Sequence, residues 1–123
     1  AQPRRDPSAE LVRRRRLERS RLRRVYVCHP FADDPAGNVE RVRGLSRQLV
    51  ALGVMPVAPH LYLPQLLDEV TEREQALRFC LELVDTCDEV RVFGGRVTAG
   101  MKREVEYAKR RGIPVRFETE VLA

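Results

Sequence analysis

Four short apolar runs alternate with three longer stretches whose apolar residues recur at helical spacing, and glycine or proline punctuates most of the junctions. That alternation predicts an α/β domain, a Rossmann-like parallel sheet of about four to five strands with helices on both faces. The reason is that a strand reaches a parallel neighbour only through a crossover long enough to hold a helix. An Arg-rich N-terminal helix or arm comes first, so the chain divides into an arm over 1–23 and a domain over 24–123. A single core of ordinary size takes nearly all of the 123 residues, which leaves no room for a second enzyme domain.

The run at 25–29, Val-Tyr-Val-Cys-His, reads as a buried strand ended by Pro30 and the turn-rich residues 32–37. Asp34 before Pro35 is a helix start, and Val39, Val42, Leu45, Leu49 and Leu52 make an apolar stripe that stops at Gly53. A second strand is expected over 54–58. The segment 61–68 has Pro64 inside it and reads as a loop with room for one helical turn. Thr71 and Glu74 have the spacing of a capping box, opening a helix that runs to about Thr86 with Ala76, Leu77, Cys80, Leu83 and Val84 inward. The third strand covers 89–93 and breaks at Gly94-Gly95. Thr98 can cap a helix over 99–111, Gly112 ends it, and 113–117 is the fourth strand.

Charge is divided unevenly. Residues 1–24 hold ten arginines against Asp6, Glu10 and Glu18, a balance of +7, so the chain's net +5 leaves −2 on everything after them. The run Arg13 to Arg16 offers forked guanidinium groups, which suit phosphates and would give salt-sensitive, sequence-blind nucleic-acid binding. The plainer alternative is a solvated helix whose Leu11, Val12, Leu17 and Leu22 pack on the domain or on a second subunit. No aromatic residue precedes Tyr26, so a base-stacking platform is missing from the arm. No apolar run has membrane length and no leader-like start is present, so no membrane contact is expected. Three cysteines without a Cys-x-x-Cys pair fit a reducing, cytoplasmic setting, their spacing with His29 and His60 matches no structural zinc pattern, and no cofactor is expected.

In sheets of this kind ligands sit beyond the carboxyl ends of the strands, where the chain order reverses. The segments placed there are His29-Pro30-Phe31, Ala58-Pro59-His60 and 94–98. One residue stands out on the third helix. Met101, Val105 and Ala108 mark the inward stripe, and Glu104 falls on it at i, i+3, i+4, i+7 spacing. A carboxylate there must be paired, with Arg96 for example, or protonated, or open to a pocket. Gly94, Gly95, Thr98 and Gly100 make a small-residue approach to that helix's N-terminus, whose free N–H groups attract phosphate; a plain tight turn explains them equally well. Tyr26 either points its phenol at Glu104 or packs as a half-buried aromatic. His29 and His60 are either ligand contacts or turn histidines.

The segment from Thr98 to Val115, with Val25 to Phe31, 57–60, 63–65 and Cys87 to Gly94, resembles the nucleoside 2-deoxyribosyltransferase superfamily, and within it a little-characterised bacterial and phage branch. It is also similar to the 2-deoxynucleoside 5-phosphate N-hydrolases. The resemblance covers about residues 24–117. It implies that Glu104 is the nucleophile that attacks the anomeric carbon of a 2-deoxyribosyl group and that Tyr26 positions it. It implies that Thr98 stands where the N-hydrolases bind phosphate; with the strand-end placement, the candidate substrate contacts are His29, Pro30, Phe31, His60, Gly94, Thr98, Gly100 and Met101. A deoxynucleoside or deoxynucleotide substrate and a homo-oligomer follow from the same likeness. One departure is visible: Cys80 occupies the position of an aspartate that handles the leaving base, which leaves open a nucleotide-binding or sensing module without catalysis. His60 or His29 is the substitute acid the sequence offers.

Overall fold

The computed structural model describes residues 7–20 and 22–118, with the side chains of Pro7, Arg13 and 16–20 outside that description. The expectations that touch residues 1–6, the side chains of Arg13, Arg16 and Leu17, and the tail 119–123 therefore lie outside the described residues. In chain order the elements are α1 (Pro7–Ser20), β1 (Arg24–Cys28), α2 (Pro35–Ala51), β2 (Met55–Val57), two single turns of 3-10 helix (Pro59–Leu61 and Leu63–Gln65), α3 (Arg73–Val84), β3 (Glu89–Val92), α4 (Ala99–Arg110) and β4 (Val115–Phe117). The four strands form one parallel sheet in the order β2-β1-β3-β4. Tyr26 of β1 stands opposite Val57 on one side and Val90 on the other. The chain order reverses between β1 and β3, so the switch-point crevice lies where those two strands end.

Strand alternation divides the core in two. Val25 and Val27 face Val42, Leu45 and Leu49 of α2, while Tyr26 and Cys28 face Val84 of α3 and Met101, Val105 and Ala108 of α4. Helices therefore cover both faces, as the alternating pattern requires, and a single-residue shift of β1 would exchange the two sets.

The helix ends follow local chemistry. Asp34 caps α2 by accepting from the Gly37 N–H at 3.3 Å, and Pro35 fills the first helical position, where a missing N–H costs nothing. Thr98 caps α4 by accepting from the Met101 N–H at 3.3 Å. Gly53 and Gly112 leave α2 and α4 with φ of 76° and 72°, the left-handed geometry that favours glycine after a helix.

Several expectations need correction. No capping box forms at Thr71 and Glu74. Asp68 takes the Val70 and Thr71 N–H groups at 2.9 Å each in a local turn, α3 starts at Arg73 without a side-chain cap, and Glu74 reaches Arg103 of α4 at 2.9 Å. The helix ends at Val84 rather than near Thr86, whose hydroxyl bonds the Leu83 carbonyl. Leu52 leaves the apolar stripe and is 60% exposed, because it lies at the C-cap. The last strand is shorter than the apolar run: Pro114 lacks a donor and contributes only its carbonyl, to the Val90 N–H. In the arm, Leu11 and Val12 are 49% and 52% exposed, so of the two packing alternatives they do not bury against their own domain. Among the described residues no helix is long and apolar enough to cross a membrane.

Candidate active site

Glu104 is buried on the inner face of α4, 6% exposed, beside Met101, Val105 and Ala108. Its Oε2 accepts a hydrogen bond from the phenol of Tyr26, which is wholly buried on β1. The alternatives left open by periodicity resolve here: Arg96 is paired with Asp33, not with Glu104, and the phenol is aimed at the carboxylate. Burial pushes the Glu104 pKa from 4.5 up to about 7, against the pull of the Tyr26 hydrogen bond, which favours the ionised form. The Tyr26 phenol is raised well above its usual value, chiefly by burial and then by the Glu104 charge. It stays a donor.

Two thiols belong to the same neighbourhood. Cys80 on α3 and Cys28 on β1 both feel the Glu104 charge, and Tyr26 interacts with Cys80 as well as with Glu104. Burial, then the carboxylate, raises the Cys80 pKa to about 11, so it is a neutral thiol at ordinary pH. Cys28 carries no distinctive signal in sequence, but period-two alternation puts it on the Tyr26 face. Met101, 2% exposed, lies one turn closer to the strand ends than Glu104, and Thr98 caps the same helix above it.

The histidines stand elsewhere. His29 continues the Val25, Val27 alternation and turns to the α2 side, away from Glu104. Its Nδ1 lies 2.8 Å from the Pro30 carbonyl, and His60 Nε2 lies 2.8 Å from the His29 carbonyl. A carbonyl only accepts, so both contacts fix those nitrogens as donors. Burial lowers the pKa of each ring, which keeps both neutral. The ring of Phe31 meets His60 edge-on at 5.8 Å, and His29 meets it at 6.2 Å. Pro30 fills the space against Gly94: a Cβ there would stand 2.8 Å from Pro30 Cδ, and the residue has φ 98°. Thus Glu104, Tyr26, Met101 and Thr98 gather on the α3–α4 face, while His29, Pro30, Phe31, His60 and Gly94 form a crest at the strand ends, with the His29 ring on the α2 side. Gly100 sits in the first turn of α4 with open space about its Cα.

The crest is held by residues that sequence periodicity did not single out. Asn38, buried in the first turn of α2, donates to the Phe31 carbonyl at 3.0 Å and to Asp33 at 2.8 Å. Asp33 also pairs with Arg96, tying the loop after β1 to the loop after β3. An asparagine near a helix start gives no distinctive signal, so only the fold reveals this network.

A groove of about 530 Å³ opens on the α2 side, lined by His29, Glu40, Gln48, Phe93 and Glu118 among others. It lies across the sheet from Glu104, so the cavity and the perturbed carboxylate are separate features. Among the described residues no cluster of His, Cys, Asp and Glu is arranged to hold a metal ion.

Comparison with known proteins places these features in context. A family model described as a domain of unknown function (DUF7768) matches residues 23–118. No curated protein matches the chain. Among solved structures, a 2-deoxyribosyltransferase from the psychrotolerant bacterium Bacillus psychrosaccharolyticus is similar in fold, with a TM-score of 0.59 and 19% sequence identity over 81% of this chain and 77% of that one.

Proposed function

The chain belongs to the DUF7768 family, and we propose that it cleaves or transfers at the N-glycosidic bond of 2-deoxynucleosides or their 5-monophosphates, with Glu104 as nucleophile. The observation that carries this reading is the Tyr26–Glu104 hydrogen bond: a buried carboxylate on the inner face of α4, held by a phenol, with a pKa near 7. At neutral pH a large fraction of such a group is ionised, poorly solvated and fixed in direction, which are the properties a carboxylate nucleophile needs. The fold it shares with a 2-deoxyribosyltransferase supports the reaction class.

The steps balance as follows. A Glu104 oxygen donates its electron pair to the anomeric carbon as the C–N bond breaks, and that bond's electrons leave on the base nitrogen. The base is protonated from water. A water molecule or a second base then attacks the same carbon and gives its proton to the hydroxide left by the first step, the ester bond to Glu104 breaks, and the carboxylate returns to Tyr26. Neither histidine serves as the acid, since each N–H that is fixed already meets a carbonyl and His29 lies on the other face. Substrate reaches Glu104 by displacing the unbranched, easily rearranged Met101 side chain. A 5-phosphate on the sugar would meet Thr98 and the first N–H groups of α4.

The neutral Cys80 thiol, too weak an acid to help the base depart, favours a second reading in which the same crevice binds a nucleotide without turnover. Chromatography of free base separates the two. Wild type and Glu104→Gln are incubated with deoxynucleosides and their monophosphates, with and without an acceptor base. Base release or exchange lost in the variant supports the enzyme, whereas binding of one of these compounds by a wild type that releases nothing supports the sensor.

A further inference from the structure

The groove on the α2 side has a chemistry of its own. Leu45 and Phe93 give it an apolar floor, and Gly44 of α2 leaves its wall open, with nothing within 4 Å of where a Cβ would stand. The polar atoms around it are mostly acceptors. Among the described residues Glu40 has its nearest cation, Arg43, at 3.9 Å, and Glu118 has Arg116 at 3.7 Å, both beyond hydrogen-bond contact. Gln48 Oε1 is buried without a partner, and His29 is neutral with Nδ1 as its donor, so its other nitrogen only accepts. The cation in the lining, Arg41, is already bound to Asp34 at 3.1 Å and Asn38 at 2.7 Å. Such a groove calls for donors that carry positive charge and apolar stems.

We propose that this groove receives the arginine-rich arm, residues 13–16, of a second copy of the chain. Each guanidinium brings a planar fork of donors that matches a carboxylate, and its methylene stem covers apolar surface such as Phe93 and Leu45. The +7 of residues 1–24 against the −2 of the remaining residues supplies the complementary charge. The described residues that line the groove all come from position 29 onward, and Leu11 and Val12 of α1 stay half exposed within their own chain. Among the described residues none of α1 lines the groove, and a second copy supplies the arm. Nucleic acid does not fit the same groove, since Glu40 and Glu118 repel phosphate. The groove is across the sheet from Glu104, so this pairing stands or fails independently of the glycosidic reading.

Sedimentation of the full chain tests it. Wild type at low salt is expected at twice the 14.2 kDa chain mass, falling towards the single mass as salt rises. Two surface variants, Arg13–Arg16 all changed to Glu, and Glu40→Arg with Glu118→Arg, should each run at the single mass. Their mixture should regain the doubled mass, because one retains the groove and the other the arm. A peptide of residues 7–22 added to wild type should also halve the mass, a readout that needs no variant to fold. A wild type that runs at the single mass, a doubled mass that survives both variants, or a mixture that stays at the single mass would each overturn the proposal. So would an arm that binds a DNA or RNA oligonucleotide while the chains do not pair.

Discussion

Replacing Glu104 by Gln keeps an oxygen to accept from Tyr26 and removes the proton equilibrium, which isolates the electrostatic part of this site. In the unfolded chain a glutamate ionises near 4.5, whereas in the fold Glu104 does so at about 7. Below the lower value both states hold the proton and the fold keeps its full stability. Between the two values the unfolded chain releases a proton that the fold retains, so stability falls as pH rises, and above the folded value the loss is complete. At about 1.4 kcal/mol for each pH unit, the displacement amounts to about 3 kcal/mol. Urea denaturation of wild type and Glu104→Gln at intervals from about pH 4 to about pH 8 measures it. The stability of the variant relative to wild type should climb by about 3 kcal/mol across that range, with most of the change complete by the folded value. Base release should rise over the upper part of the same range, because only the ionised carboxylate attacks. A stability difference that stays flat with pH would refute the argument, since it would mean that the fold does not resist ionising Glu104.

The remaining predictions concern the groups around it. Tyr26→Phe removes the donor that holds the Glu104 pKa down, so the inflection in the same denaturation series should move to higher pH; an inflection that stays in place would separate the phenol from the carboxylate. Gly94→Ala combines a positive φ with a Cβ 2.8 Å from Pro30, while Gly95→Ala has φ 75° and open space. The first should cost about 1–3 kcal/mol more than the second in thermal or urea unfolding, and equal costs would show that Pro30 moves aside freely.

The order and type of the elements are legible in the amino-acid pattern, which sets them locally. Apolar runs of strand length, helical stripes and the turn residues Pro30, Gly53, Gly94 and Gly112 are local properties, and the hydrophobic period expresses them without reference to distant contacts. It also placed Glu104 on an inward stripe, because helical spacing fixes a residue's face. Where competing local contacts existed, as at Thr71, Glu74 and Asp68, the spacing alone chose the wrong one. What Glu104 meets depends on packing between distant segments. Tyr26 lies 78 residues away in sequence, and its phenol rather than Arg96 became the partner because strand alternation and the β1–β3 pairing put it beneath α4. The same alternation sent His29 to the other face, which a list of strand-end residues does not reveal. The Asn38–Asp33–Arg96 network and the acceptor-lined groove are likewise assembled from separate segments, and no single segment carries their signature. Periodicity fixes the direction in which each side chain leaves its own element; which side chain it then meets is set by sheet order and register, and those exist only once the elements have packed.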